Sequence, residues 1–214
     1  MTTLITGANR GIGRAMFDAY RDRGEAVIGT HRDAPQASWM RLDVTDPGSV
    51  AQMAKDFGDT PLDLLVCNAG VFLDRGQSIA ELTADIWAQE FAVNVTGVFL
   101  TIQALLPNVK AAGGKIAIIS SQMASDTRAP GGSYVYRASK AAVLNFGRNL
   151  SADLKDDGIA VGIYHPGWVQ TDMGGSRAAI TPVQAVGGLL DRFDDLSLDS
   201  TGCFKTWDGE DHPF

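Results

Sequence analysis

"TGANRGIG" occupies residues 6–13, after only "MTTLI". Three glycines and no acidic residue in so short a stretch describe a strand that breaks into a turn and re-forms as a helix. A turn of this kind presents backbone N–H groups and the positive end of a helix dipole, an arrangement that cradles phosphate. Side chains at Gly7, Gly11 and Gly13 would obstruct a pyrophosphate or the packing of helix on strand, and a carboxylate there would repel it. Short glycine patterns also recur where a turn serves chain geometry alone, so the rest of the chain has to decide.

Working outward, strands and helices alternate. "LIT" (4–6), "AVIGT" (26–30), "WMRLDV" (39–44), "LDLLVCN" (62–68), "GKIAIIS" (114–120) and "IAVGIYH" (159–165) read as strands, most of them continuously apolar, as strands buried on both faces are. Helical patterns cover 11–24, with Gly24 as the stop, then 46–58, 83–112 and 136–158. A last helix opens at "TPVQ", where Thr181 is the N-cap, Pro182 the first helical residue and Gln184 the capping-box partner. Such alternation predicts an α/β fold, a single-domain doubly wound parallel sheet of Rossmann type over residues 1–214, with helices on both faces.

Composition narrows the function. The 214 residues are 45% hydrophobic and carry a formal net charge of −7, which opposes attraction to nucleic acid or an anionic membrane. Cys67 and Cys203 are too few for a disulfide framework, no apolar run approaches a membrane span, and Met1 to Ile5 is too short for a signal peptide. A cytoplasmic protein is expected. His165, His212 and the two cysteines lack metal-ligand spacing, so no metal is expected. Trp87, Trp168 and Trp207 read first as core or pocket wall, with Trp168 and Met173 bordering the pocket mouth.

"YRASK" places Tyr136 and Lys140 four residues apart, on one face of a helix. The bland reading is a solvated helix start. The chemical one is that a phenol of pKa ~10 needs about 4 kcal/mol to ionise near neutrality, which an ammonium ~4 Å away supplies at moderate dielectric. Tyr134, six residues from Lys140, points elsewhere and reads as packing or pocket wall.

With these residues in hand the chain resembles a classical short-chain dehydrogenase/reductase over essentially its whole length. "TGANRGIG" is similar to the family's cofactor loop, Asp43 and Val44 to its adenine contact, "NAG" (Asn68, Ala69, Gly70) to the segment beside the cofactor, and "PGWVQTD" from Pro166 to the nicotinamide-side loop. The resemblance implies catalytic roles for Asn94, Ser121, Tyr136 and Lys140, with Ser120 as the rival serine. Tyr136 would give the proton, Ser121 would orient the carbonyl, Lys140 would lower the tyrosine's pKa and hold a ribose, and Asn94 would anchor a relay water. It also implies cofactor contacts from Gly7, Asn9, Arg10, Gly11, Ile12, Gly13, Arg32, Asp43, Val44, Asn68, Ala69, Gly70, Tyr136, Lys140, Pro166, Gly167, Val169 and Thr171. "YVYRASKAAVLN", "HPGWVQTDMGG" and "GCFKTWDGEDHPF" are similar to the branch of sniffer-type carbonyl reductases and C-factor proteins.

The expected activity is hydride transfer between NADP(H) and a carbonyl or alcohol. The alternative is a cofactor-bound, C-factor-like signalling or regulatory protein. NADP is expected over NAD because the second strand ends in Thr30, His31 and Arg32, where a cation accommodates a 2′-phosphate, although a one-residue shift would bring in Asp33. A homodimer or homo-oligomer is compatible with the resemblance. About eight residues join the second and third strands, which reads as a crossover reduced to a turn, and the short 174–180 segment leaves little chain for a substrate lid.

Overall fold

The computed structural model describes residues 1–33 and 38–214. Among these residues seven strands form one sheet: β1 (Thr2–Ile5), β2 (Ala26–His31), β3 (Trp39–Arg41), β4 (Leu64–Cys67), β5 (Lys115–Ile119), β6 (Ala160–His165) and β7 (Phe204–Thr206). Their order is β3-β2-β1-β4-β5-β6-β7, and every neighbouring pair is parallel. All four residues of β4 and all six of β6 are buried, so the continuous apolar runs are strands covered on both sides.

Each face has its own core. On one, α1 (Gly11–Asp22) and α6 (Pro182–Asp195) pack Met16, Phe17 and Tyr20 with Val186, Leu189 and Phe193. On the other, α2 (Pro47–Phe57) and α4 (Gly97–Ala112) join α5 (Tyr134–Asp153), with Val50, Met53, Ile102, Leu105 and Val143 against the sheet. Gly24, with φ +74°, stands two residues past α1, and the capping box of Thr181 and Gln184 opens α6 with Pro182 inside it.

The stretch 83–112 is not one regular helix. Thr83 caps α3 (Ala84–Phe91), Ala92–Thr96 form a π-helical turn in which the Gly97 N–H reaches the Ala92 carbonyl, and α4 follows. Ala84–Ala112 is, by length and apolar composition, able to cross a membrane, which corrects the expectation that no stretch of the chain reaches span length. Here it is a core helix, burying Glu90, Asn94, Thr101 and Asn108 as well as its apolar residues.

Other boundaries also differ from expectation. α5 begins two residues earlier than "YRASK" suggests and ends at Asp153, after which Ile159 N–H returns to the Leu154 carbonyl through Gly158 at φ +76°. β7 was not foreseen, because three residues cannot display an alternation. The predicted turn between β2 and β3 falls on residues 34–37, outside the described residues. From 174 to 180 the chain holds no helix, as expected, and Val169 and Ile180 pair across the base of that segment.

Candidate active site

The glycine loop leaves the C-terminal end of β1, beside β4, where strand order reverses and open α/β sheets form a crevice. Gly7 and Gly11 have φ of +65° and +55°, which only glycine adopts freely. Gly13 serves packing instead: a Cβ there would collide with the Gly7 carbonyl and the Asn68 amide. The Asn68 amide braces the loop by donating to the Thr6 and Gly7 carbonyls at 2.9 and 3.2 Å. α1 begins after Arg10 with no side-chain cap and no acidic residue in its first turn, so its positive end faces the crevice unneutralised. These features fit a dinucleotide's pyrophosphate.

A cleft of about 730 Å³ runs along the crevice. It is lined by every expected cofactor contact from Gly7 through Gly70, and by Tyr136, Lys140, Pro166 and Thr171. Two expected contacts lie off it. Gly167 (φ +86°) packs against Ile180 and Trp207, and Val169 is buried in its bridge to Ile180. Met173 lines the cleft, whereas Trp168 is 51% exposed and donates its indole N–H to the Gly174 carbonyl at 2.9 Å. Sequence reading missed other lining residues, among them Val71, Leu73, Gln89 and Val93.

At the adenine end, Arg32 follows β2 and lines the cleft, while Asp33 turns back beside His31 and lines an adjoining hollow. The hydroxyl of Thr45 bonds the Asp43 carboxylate at 2.7 Å and holds it below its usual range. Arg10 reaches across the mouth to Asp172 at 3.5 Å.

Deeper in, Tyr136 is stacked on Phe72 with ring centroids 4.2 Å apart, and Lys140 Nζ lies 5.7 Å from the tyrosine ring, donating to the Ile119 carbonyl at 3.0 Å. Burial pushes the Tyr136 phenol up to about 12, with Ser121 and Arg75 acting in the opposite sense. Burial also lowers Lys140 to about 8, against the raising effect of Glu90. The protein's own groups therefore hold the tyrosine as a neutral phenol, opposite to the depression expected from an adjacent ammonium. Of the two serines, Ser120 lines the cleft and donates to the Lys140 carbonyl at 3.0 Å, whereas Ser121 accepts the Met123 N–H at 3.1 Å. Tyr134, 41% exposed at the start of α5, is neither packing nor pocket wall.

Asn94 sits beneath this cluster in the π-helical turn. Its carbonyl oxygen accepts the Val71 N–H at 2.9 Å, and its amide donates to the Val71 carbonyl at 2.9 Å and to Ser139 Oγ at 3.0 Å. Its side chain is thus spent on holding the segment after β4. A π turn breaks the regular ladder, a feature frequent at functional sites.

Two buried carboxylates escaped sequence reading. Asp74 accepts the Val135 and Tyr136 N–H groups at 2.7 and 3.4 Å, capping α5 from outside, where the local N-cap Ser133 has φ +51° and makes no capping bond. Glu90 accepts the Leu73 N–H at 3.1 Å. At the end of β6, buried His165 has its ring centroid 5.9 Å from that of His212, and burial lowers it to about 4, helped by His212 and Arg128. No group of three metal-ligating side chains occurs among the described residues.

A family model for short chain dehydrogenase matches residues 1–179. The 1-hydroxy-2-glutathionyl-2-methyl-3-butene dehydrogenase of Rhodococcus sp. (strain AD45) is 34% identical over 97% of both chains. The C-signal of Myxococcus xanthus is 35% identical over 72% of this chain and 93% of its own. Among solved structures, the NADPH-bound carbonyl reductase from chicken fatty liver superposes with a TM-score of 0.90 at 30% identity, covering 100% of this chain and 98% of the other.

Proposed function

Because the chain belongs to the short-chain dehydrogenases, a family of NAD(P)H-dependent oxidoreductases, we propose that residues 1–214 work as one catalytic unit that reduces carbonyl compounds, or oxidises the corresponding alcohols, with NADP(H). The observation that carries this reading is the buried Tyr136 phenol, with Lys140 Nζ 5.7 Å from its ring, on the wall of a glycine-looped cleft.

When bound, the nicotinamide supplies or accepts the hydride. Gly7, Gly11 and the start of α1 would hold the pyrophosphate, Asp43 and Val44 the adenine side, and Arg32 with Arg10 a 2′-phosphate. That choice of NADP rests on Arg32, not Asp33, facing the cleft. Asn68 to Gly70, Pro166 and Thr171 would flank the inner half.

Tyr136 keeps its proton until negative charge builds on the carbonyl oxygen, and then gives it to that oxygen. Ser121 Oγ accepts the Met123 N–H at 3.1 Å, so its own proton is left for the substrate oxygen. Lys140 stabilises the phenolate, and Asn94 positions the Val71 backbone and α5 against each other. Because the segment over 174–180 carries no helix, the mouth is open and suits varied, bulky carbonyl substrates of modest affinity. A reducing compartment, the cytoplasm, suits free Cys67 and Cys203.

The test is NADPH oxidation with a panel of aldehydes, ketones and quinones. Tyr136→Phe should lower turnover by orders of magnitude while leaving NADPH binding, followed by fluorescence titration, within about twofold of wild type. Wild-type rates in Tyr136→Phe, with Tyr134→Phe inactive instead, would move the proton donor to the other tyrosine.

A further inference from the structure

The segment after β4 lines the cleft with Val71 and Leu73 and then turns sharply. Asp74, 1% exposed, is held inward by the Val135 and Tyr136 N–H groups, and the Gln77 N–H returns to the Asp74 carbonyl at 3.2 Å with Gly76 at φ +73°. These bonds close a four-residue turn whose outer corner carries Arg75. The backbone beneath the exposed Arg75 side chain is therefore pinned from inside.

The Arg75 guanidinium carbon lies 5.3 Å from the centroid of the Phe72 ring, the same ring that stacks on Tyr136. It also meets the segment that follows Met173: a Cβ at Gly175 would lie 4.0 Å from Arg75 Nη1. Leu73 and Met173 both line the cleft, and Arg75 and Gly175 stand two residues beyond them on their segments. The cation thus sits at the rim where the two segments meet.

Neighbouring carboxylates are engaged elsewhere. Asp74 caps α5, Glu90 accepts the Leu73 N–H at 3.1 Å, and Asp172 pairs with Arg10 at 3.5 Å. Among the described residues Arg75 forms no ion pair, although the chain carries a net charge of −7. Packing on Phe72 accounts for the stem of Arg75, but not for a planar head with five donors at the rim of the cleft.

We propose that Arg75 determines specificity by receiving a carboxylate at the end of the carbonyl substrate remote from Tyr136. The inference rests on the carbonyl chemistry proposed above and narrows it to compounds with an aldehyde or ketone at one end and an anionic group at the other. The guanidinium fork matches a carboxylate bidentately, and Leu73 and Met173 offer apolar cover to the linker between the two ends.

The test is kcat/KM with NADPH for para-formylbenzoate and the longer para-formylphenoxyacetate, each paired with its methyl ester. Wild type is compared with Arg75→Gln, which keeps a stem on Phe72 and loses the charge. Any effect of Arg75 on the Tyr136 phenol is common to acid and ester and cancels in their ratio. The carboxylate-to-ester ratio should fall about three- to tenfold in Arg75→Gln for at least one length, mostly through KM, between the worth of an exposed ion pair and that of a charged hydrogen bond. Arg21→Gln, which removes one charge from the last turn of α1, should keep the ratio. An unchanged ratio in Arg75→Gln at both lengths, or an equal fall in Arg21→Gln, overturns the inference. If wild type reduces no carbonyl, the proposed activity fails and binding decides instead, by calorimetric titration of NADPH-saturated protein with para-acetylbenzoate and its methyl ester. A carboxylate preference that Arg75→Gln abolishes upholds the anion site, and its absence in wild type, or its survival in Arg75→Gln, overturns it.

Discussion

At the scale of single residues, the sequence is most readable where chemistry dictates residue type. Gly7 and Gly11 need positive φ, and the Tyr136–Lys140 spacing needs one helix face, so both sites stand out before any coordinates. Asp74 does not stand out, because the N–H groups it serves lie 61 and 62 residues away in sequence. Glu90 left one local trace, its i, i+4 spacing to Asn94, which could have marked it as inward-facing. The Tyr136 phenol stands above its ordinary value because burial dominates, and burial is a property of the fold that the Tyr136–Lys140 spacing does not show. Arg32 carries the prediction at this scale. Arg32→Ala should weaken NADPH binding by about 1.5–3 kcal/mol, the range for hydrogen bonds to charged groups, and leave NADH nearly unchanged. Calorimetric titration of both cofactors checks it, and equal losses would remove Arg32 from the 2′-phosphate.

Among the elements, α6 was legible to its first residue because its start is encoded locally, whereas α5 was not. α5 takes its cap from Asp74, so Ser133 gives no local signal at its start. The π turn at Asn94 was hidden by an unbroken helical pattern, and β7 by its shortness. The borrowed cap also ties catalysis to helix stability. Asp74→Ala strips the acceptor from two N–H groups at the very turn that carries Tyr136, and should cost about 1–3 kcal/mol. Turnover should fall as well, since Tyr136 loses its fixed position. Thr181→Ala, which removes the local capping box of α6 on the opposite face, should cost about 1 kcal/mol and leave turnover unchanged. Urea midpoints and kcat for the two variants separate the cases; loss of turnover in both would mean that overall stability, not the α5 start, is being read.

For the whole molecule, pH acts on stability through buried groups with opposite signs. His165 is lowered to about 4, so the folded protein refuses a proton that the unfolded chain accepts below its ordinary value of 6.5. The stability this confers is present above pH 6.5 and is lost as pH falls towards 4, by up to about 3 kcal/mol. In His165→Gln the loss of stability between pH 7 and 4.5, measured by urea unfolding, should be smaller than in wild type. An equal loss would assign acid sensitivity to other groups. The sheet order has a consequence for how the chain is made. The apolar stripe of α1, with Phe17 and Tyr20, is covered by α6, and Arg23 pairs with Asp194 at 3.1 Å across that contact. A ribosome finishes α1 about 160 residues before it finishes the start of α6, a wait of roughly 10–30 s at ordinary rates of synthesis. Throughout that interval the nascent chain carries an uncovered greasy stripe, and its early half depends on shielding, by the ribosome surface or a chaperone, until its own last helix arrives.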